Sequence, residues 1–406
     1  MPTKYDRSLW IEQFPKSRVP AYPRYRGATA AEAVVVGGGL TGATTAYALA
    51  AAGVKVVLLE AEQVGRGSTA FEAGWISEEP GVAFVDLAKT IGARGARSAF
   101  QVWRRAALDF AALLRRLDVK CGLETRPAIT VARTPDQAAR LKREQKERRG
   151  AGLDAPLLAG RAVAAEVALD AVAGLRAKDG ATLDPYRACL GLVAAAKVRG
   201  AQVFERSPVV KITFGRKDAE VFTAGGRIRA ARVVIATGTP TALFKSLARH
   251  FWFRSAYAAL TVPVPAKVRQ QLGRRAAVVR DAVDPPHVVR WIDDQRLLVS
   301  GADTATSPAR QRDKVIVQRT GQLMYELSTL YPDISGLQPD FGWATDYART
   351  AEGLPYLGPH RNFPWHLFAF GDSSHSLTGA YLASRVLLRH YFEEMDPADE
   401  LFSFTR

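Results

Sequence analysis

The chain has 406 residues, 48% of them apolar, and a formal net charge of +16. That length and apolar content suffice for a large core, as one big unit or two interleaved domains. No apolar run approaches the roughly 18–20 residues that span a bilayer, and two cysteines, Cys121 and Cys189, cannot build a disulfide framework.

Residues 1–29 are polar and proline-rich (Pro15, Pro20, Pro23) and carry no apolar signal-peptide core, so a cytoplasmic protein with reduced thiols is expected. Ala33–Val36 is a short apolar run, as in a strand buried on both faces. Gly37-Gly38-Gly39-Leu40-Thr41-Gly42 then reads as GxGxxG, and an alanine-rich helix runs to a Gly53 cap. A second buried strand, 55–60, closes on Glu60, with Ala61 beside it, about 20 residues on, where a ribose-binding acid falls. Each glycine has its own task. Gly37 permits the tight turn, Gly39 admits a pyrophosphate to the backbone, and Gly42 lets helix and strand pack closely. The helix N-terminus adds free N–H groups and partial positive charge. Strand, turn, helix, strand and acid in register mark a dinucleotide site.

Helical patterns occupy 84–118, a strand 126–132 and a polar helix about 135–149. Arg140–Arg149 is the densest basic stretch, but glutamates interrupt it and it reads as a solvated face. No nucleic-acid motif accompanies it, so nucleic acid is not an expected partner. The charge suits solubility and anionic ligands, and leaves peripheral docking at a membrane open. Residues 182–212 read as a helix, a Gly200 stop and strands at about 202–205 and 209–213. Residues 227–244 read as a late strand with an Ala236-Thr237-Gly238 turn, of the kind flavoproteins return beside the first motif. Strands at about 256–264, 276–281, 286–292 and 295–300 look antiparallel, and a helix follows at 309–330. Residues 365–388 read as strand, loop and helix, whose N-terminus would stabilise an anionic reduced flavin. With no second GxGxxG for a nicotinamide, these features favour FAD reduced by the organic substrate itself. The expected fold is mixed α/β: a Rossmann-like FAD-binding domain with a second, antiparallel-sheet substrate domain. No metal site is expected.

The order of these segments resembles the D-amino-acid oxidase superfamily of FAD-dependent oxidoreductases over nearly the whole chain, from 9–27 to 399–406. The resemblance implies a leader at 1–29 and a discontinuous FAD-binding domain at 30–80, 150–245 and 345–395. It implies a substrate domain at 81–149 and 246–344, and a tail at 396–406. Gly67, Ser68 and Thr69, in VGRGSTAFEAGWIS, would wrap the pyrophosphate and ribityl chain. Val209 would hold the adenine edge through its backbone, and Gly371, Asp372, Ser376, Leu377, Thr378 and Gly379 would line the flavin. Two positions at which relatives tether flavin covalently are Phe71 and Thr345 here, so FAD is expected to bind non-covalently. Thr378 stands where sarcosine oxidases carry a lysine that grips the substrate carboxylate.

Arg290 falls on an arginine of the family's paired strands. It reads either as a guanidinium that forks to a substrate carboxylate or as an ion pair with Asp293 or Asp303. Tyr347 lines the flavin's catalytic face or belongs to the core. His375 sets the flavin environment or caps the following helix, and Tyr257 is a further candidate. The implied activity is oxidation of a small amine or amino acid by hydride transfer from its α-carbon to flavin N5, with the imine then hydrolysed. Oxygen or another acceptor would reoxidise the flavin. Two alternatives stay open. One is a dehydrogenase of a hydroxy acid or other non-amine, passing electrons to a quinone or carrier; the other is a flavin-binding subunit that needs a partner chain.

Overall fold

The computed structural model describes residues 2–371 and 376–406. Its first sheet grows from the dinucleotide motif. Gly27–Val36 lies between Val56–Leu59 and Gly226–Gly238, parallel to both, with Val34 opposite Val57 and Val233. Val34 and Val35 are fully buried, which is why the strand's second half reads as an unbroken apolar run. Gln202–Phe204 extends the sheet past Val56–Leu59, and Phe363–Phe370 joins the end of Gly226–Gly238. The antiparallel ribbon Val209–Phe214 and Ala219–Thr223 is attached along the start of that same long strand. Helix Leu40–Ala51 has no polar face because Pro185–Val198 and Thr378–Phe392 cover it. It ends before Gly53, whose φ of +85° suits glycine.

The second sheet has nine strands. Their order is Lys4–Tyr5, Pro339–Arg349, Trp252–Thr261, Arg296–Ala305, Val288–Ile292, Val278–Asp281, Ala128–Ala132, Ala173–Ala177 and Leu157–Ala159. Tyr257 pairs with Ala344, and both face helix Arg312–Leu330, in a core with Val299 and Leu323. Ala258 and Trp343, one residue along, point the other way into the core shared with helix Leu40–Ala51. The two-residue period thus makes the sheet a floor, with one helix beneath it and the dinucleotide unit above.

The boundaries expected from sequence shift in two places. Residues 157–177, expected in the FAD-binding domain, belong instead to the nine-stranded sheet, because Ala173–Ala177 pairs along Ala128–Ala132. Pro339–Arg349 is one 11-residue strand of that sheet and carries it past residue 345. Nor is the sheet purely antiparallel, since Val278–Asp281 runs parallel to Ala128–Ala132 and Lys4–Tyr5 parallel to Pro339–Arg349. The polar helix, Pro135–Gly150, starts where the Thr134 hydroxyl accepts the Gln137 N–H, but its Glu144 and Arg148 are buried and do not belong to a solvated face. Cys121 and Cys189 are buried free thiols. Among the described residues no helix is long and apolar enough to cross a membrane.

Candidate dinucleotide cleft and substrate chamber

At two positions of the glycine turn, Gly37 and Gly42, backbone contacts leave no room for a side chain. Gly37 has φ +109°, and a Cβ there would lie 2.5 Å from the Ala236 carbonyl oxygen. A Cβ on Gly42 would lie 1.8 Å from the Gly37 carbonyl oxygen. The Gly38 N–H donates to Glu60 Oε2 at 2.6 Å, and the Glu62 N–H donates to Oε1 at 2.8 Å. Burial raises the Glu60 pKa, and these two backbone bonds oppose the shift. The Leu40 N–H, at the helix start, donates to Thr69 Oγ1 at 2.9 Å, so a hydroxyl from the second loop reaches the helix N-terminus.

In front of that helix end lies a cleft with an empty volume of about 1190 Å³. Leu40, Thr41, Gly67, Ser68, Thr69, Thr237, Gly238, Ser376 and Leu377 line it, together with Arg66, Phe71, Thr345 and Tyr347. Free N–H groups at a helix start, hydroxyls and an exposed arginine are the donor set a pyrophosphate needs. Thr345 Oγ1 is buried there with no hydrogen-bond partner among the described residues, a polar atom that a bound ring system would satisfy. These residues fit a dinucleotide of FAD's size.

Other expected contacts lie just behind this lining. Ala61 adjoins Glu60, and Ala236 packs under Gly37. Val209 does not line the cleft but follows Ser207, whose N–H donates to the Glu60 carbonyl at 2.9 Å. Thr378 and Gly379 are buried in the first turn of helix Thr378–Phe392. Gly371 has φ +85°. Asp372 and His375 lie outside the described residues.

The cleft meets a second, narrower pocket, open to solvent, at Tyr347 and Ser376, which line both. Trp75, Ser77, Glu79, Arg280 and Arg349 form much of this chamber's wall. Ser376 Oγ accepts the Ser77 N–H at 2.9 Å, and Thr378 Oγ1 donates to the Ser77 carbonyl at 2.7 Å. Thr378 is fully buried, so it braces the wall and offers a substrate nothing. The Tyr347 hydroxyl donates to Asp303. Burial, then the Asp303 charge, push its pKa far above the ordinary phenol value, so Tyr347 keeps its proton at neutral pH.

Glu79 is held by Arg148, which also donates through Nε to Glu144 at 2.7 Å. Glu144 in turn accepts the Phe84 and Val85 N–H groups. Arg349 pairs with Asp284 at 3.2 Å. Arg280 differs from these. Its Nη2 donates to the Gly81 carbonyl at 3.2 Å, and among the described residues no carboxylate forks to it. Burial lowers its pKa and Glu79 opposes that shift.

Arg290, the expected substrate arginine, is elsewhere. It is buried among backbone carbonyls, donating to Gly74 and, at 3.3 Å, to Leu183, with its guanidinium 5.4 Å from the Trp10 ring centre. It lines neither cavity, and its recorded partners are these carbonyls, neither a substrate fork nor Asp293 or Asp303. Burial pulls its pKa down to about 9, against the pull of Asp184. Sequence could have pointed to Arg280, because Val-Val-Arg occurs twice, at 278–280 and 288–290. Register pairs Arg280 with Val288, so both arginines share a face and only their distance along the strands separates chamber from strut. Arg290→Lys is expected to lower stability by about 2–3 kcal/mol, through charged hydrogen bonds that an ammonium cannot reproduce. Urea unfolding measures it. Wild-type stability with a collapsed kcat/KM would return Arg290 to the substrate.

Tyr257 is also displaced from chemistry. Its ring lies on the helix side of the floor, opposite to Thr345 and Tyr347, and its hydroxyl meets Thr304 at 3.2 Å. Beside the chamber, His287 Nδ1 is 2.6 Å from Asp281 and Nε2 is 3.0 Å from Glu326. Burial resists charging the ring, but the Asp281 bond and the nearby carboxylates outweigh it and raise its pKa. A raised folded-state pKa stabilises fully below about 6.5, and the contribution fades as pH rises through the raised value. The Tm gap between wild type and His287→Gln should therefore shrink from pH 6 to pH 9, as calorimetry would read; a gap that widens contradicts the ion pair.

A parallel-sheet dinucleotide cleft open to a chamber above a second sheet is the layout of a nucleotide-dependent oxidoreductase. The chain belongs to the family of FAD dependent oxidoreductases, which it matches over residues 32–389, and its cofactor is FAD. It is 27% identical to gamma-glutamylputrescine oxidoreductase of Escherichia coli (strain K12), over 89% of this chain and 84% of that one. It is 26% identical to glycine oxidase of Geobacillus kaustophilus (strain HTA426), over 92% of this chain and 97% of that one. The crystal structure of glycine oxidase from Geobacillus kaustophilus superposes with a TM-score of 0.73 at 20% identity, covering 91% of this chain and 96% of that one.

Proposed function

We propose that this enzyme oxidises an amine or amino acid at a C–H bond next to nitrogen, giving an imine that water hydrolyses after release. The observation that carries this reading is the shared wall: Tyr347 and Ser376 line both the dinucleotide cleft and the chamber. A small molecule in the chamber therefore abuts whatever fills the inner end of the cleft. FAD, when bound, supplies the acceptor for the hydride of that C–H bond. The chain's own residues orient and enclose. Trp75 and Val288 give an apolar wall, Tyr347 offers a fixed hydroxyl, and Arg280 is a cation placed to fork with a carboxylate. No side-chain base is required if the amine enters neutral. The names of the relatives, acting on glycine and gamma-glutamylputrescine, belong to the same chemical class. Non-covalent binding follows from Phe71 and Thr345, neither of which offers a nucleophile that relatives use as a tether.

Anaerobic mixing of holoenzyme with amines, N-methyl amino acids, D-amino acids and hydroxy acids tests the proposal. Amino compounds should bleach the oxidised flavin absorbance. Bleaching by hydroxy acids alone would replace it with the dehydrogenase reading. Acid precipitation should leave the yellow colour in the supernatant.

A further inference from the structure

The chamber continues outward. Glu79, Gly81, Val82, Arg280, Asp284 and Arg349 line both it and a vestibule with an empty volume of about 1360 Å³. The vestibule's outer wall includes the helix Pro135–Gly150, which presents Arg140 and Arg143 to it. Both arginines are exposed, and neither has a recorded carboxylate partner among the described residues.

The acids of this vestibule are already occupied. Glu79 and Glu144 hold Arg148, Asp281 holds His287 and Asp284 holds Arg349, as described above. The remaining two, Asp86 and Glu352, pair with Lys89 at 2.7 Å and Arg406 at 3.5 Å. What is left uncommitted is positive: Arg280 at the throat, and Arg140 and Arg143 outside it. Arg148 serves two carboxylates, so the paired groups leave some negative charge behind. An anion is favoured locally, where the three guanidiniums with no recorded carboxylate partner among the described residues sit, and not by the net charge of the whole wall.

We infer that the vestibule is a second anion subsite, and that the preferred substrate is an elongated, doubly acidic amine. One carboxylate lies at Arg280, and a distal carboxylate or phosphate-like group lies at Arg140 and Arg143. This rests on the proposed amine oxidation for its catalytic readout. The stretch 140–149, which in sequence is only a basic surface, becomes through its exposed Arg140 and Arg143 the element that reads substrate length and charge.

The test uses holoenzyme and a ladder of racemic amino dicarboxylates from aspartate to aminopimelate, each against its distal carboxamide and its distal phosphonate. At one chain length the anionic member should exceed the amide in kcat/KM by about tenfold, the size of a charge-assisted contact at a partly exposed site. The ratio should fall towards one in Arg140→Gln/Arg143→Gln and at high ionic strength, and stay at its wild-type value in Lys146→Gln on the same helix. Carboxylate and phosphonate arms separate the two kinds of anion. Calorimetric binding of adipate against its monoamide, in wild type and the double variant, needs no turnover. Selective adipate binding that the double variant loses supports the subsite even if no amine bleaches the flavin, which would sink only the proposed reaction. Amines that bleach the flavin with no preference for a distal anion at any length would overturn the subsite and leave the reaction standing.

Discussion

Gly42→Ala is expected to yield protein that neither retains FAD nor keeps its stability, because the new methyl carbon would sit 1.8 Å from the Gly37 carbonyl oxygen. That oxygen is backbone and cannot swing aside. Relief requires helix Leu40–Ala51 to move off the strand end, and that helix is buried between two others. Overpacking of this kind costs about 3 kcal/mol or more. Gly39→Ala is the contrast. Its φ of −75° and ψ of −176° suit alanine, and its Cβ would meet only Thr69 Oγ1, at 3.2 Å. The apoprotein should unfold near the wild-type urea midpoint, while flavin absorbance per chain falls, since the methyl obstructs the pyrophosphate's approach. Equal unfolding midpoints for the two variants would show that the roles of Gly39 and Gly42 are wrongly divided.

Arg280→Gln should cut kcat/KM for an amino acid about 30–150-fold relative to the corresponding decarboxylated amine. That range is the loss of a charged hydrogen bond worth about 2–3 kcal/mol. The loss should fall mainly on KM, because the carboxylate is held equally before and during the chemical step. Arg280→Lys should recover little of it, since an ammonium lacks the planar pair of donors. With Arg280 removed, the Arg148 cluster keeps two carboxylates for one guanidinium, which further disfavours an incoming anion. An unchanged ratio in both variants would remove Arg280 from substrate recognition and leave it as a support for Gly81.

The dinucleotide unit was legible in the chain because its determinants are local. Gly37 through its positive φ and Gly42 through the Gly37 carbonyl answer to steric limits within six residues, although Ala236 also crowds Gly37 from far along the chain. Val34 to Val36 announce a buried strand without reference to anything distant. The non-polar helix and its Gly53 stop follow from the same short-range rules. The substrate side is decided by pairing between segments far apart. Residues 278–280 and 288–290 spell the same tripeptide, and only their register and the position of Gly74 and Leu183 make one arginine a chamber wall and the other a strut. Tyr257 and Tyr347 sit on adjacent strands of one sheet, but alternation sends one to the helix beneath and the other to the chamber. Glu79 is partly neutralised only because Arg148, on another element, reaches it. Composition and spacing set which residues can bend, bury or carry charge; long-range packing alone decides which charges remain unpaired and which cavity they face.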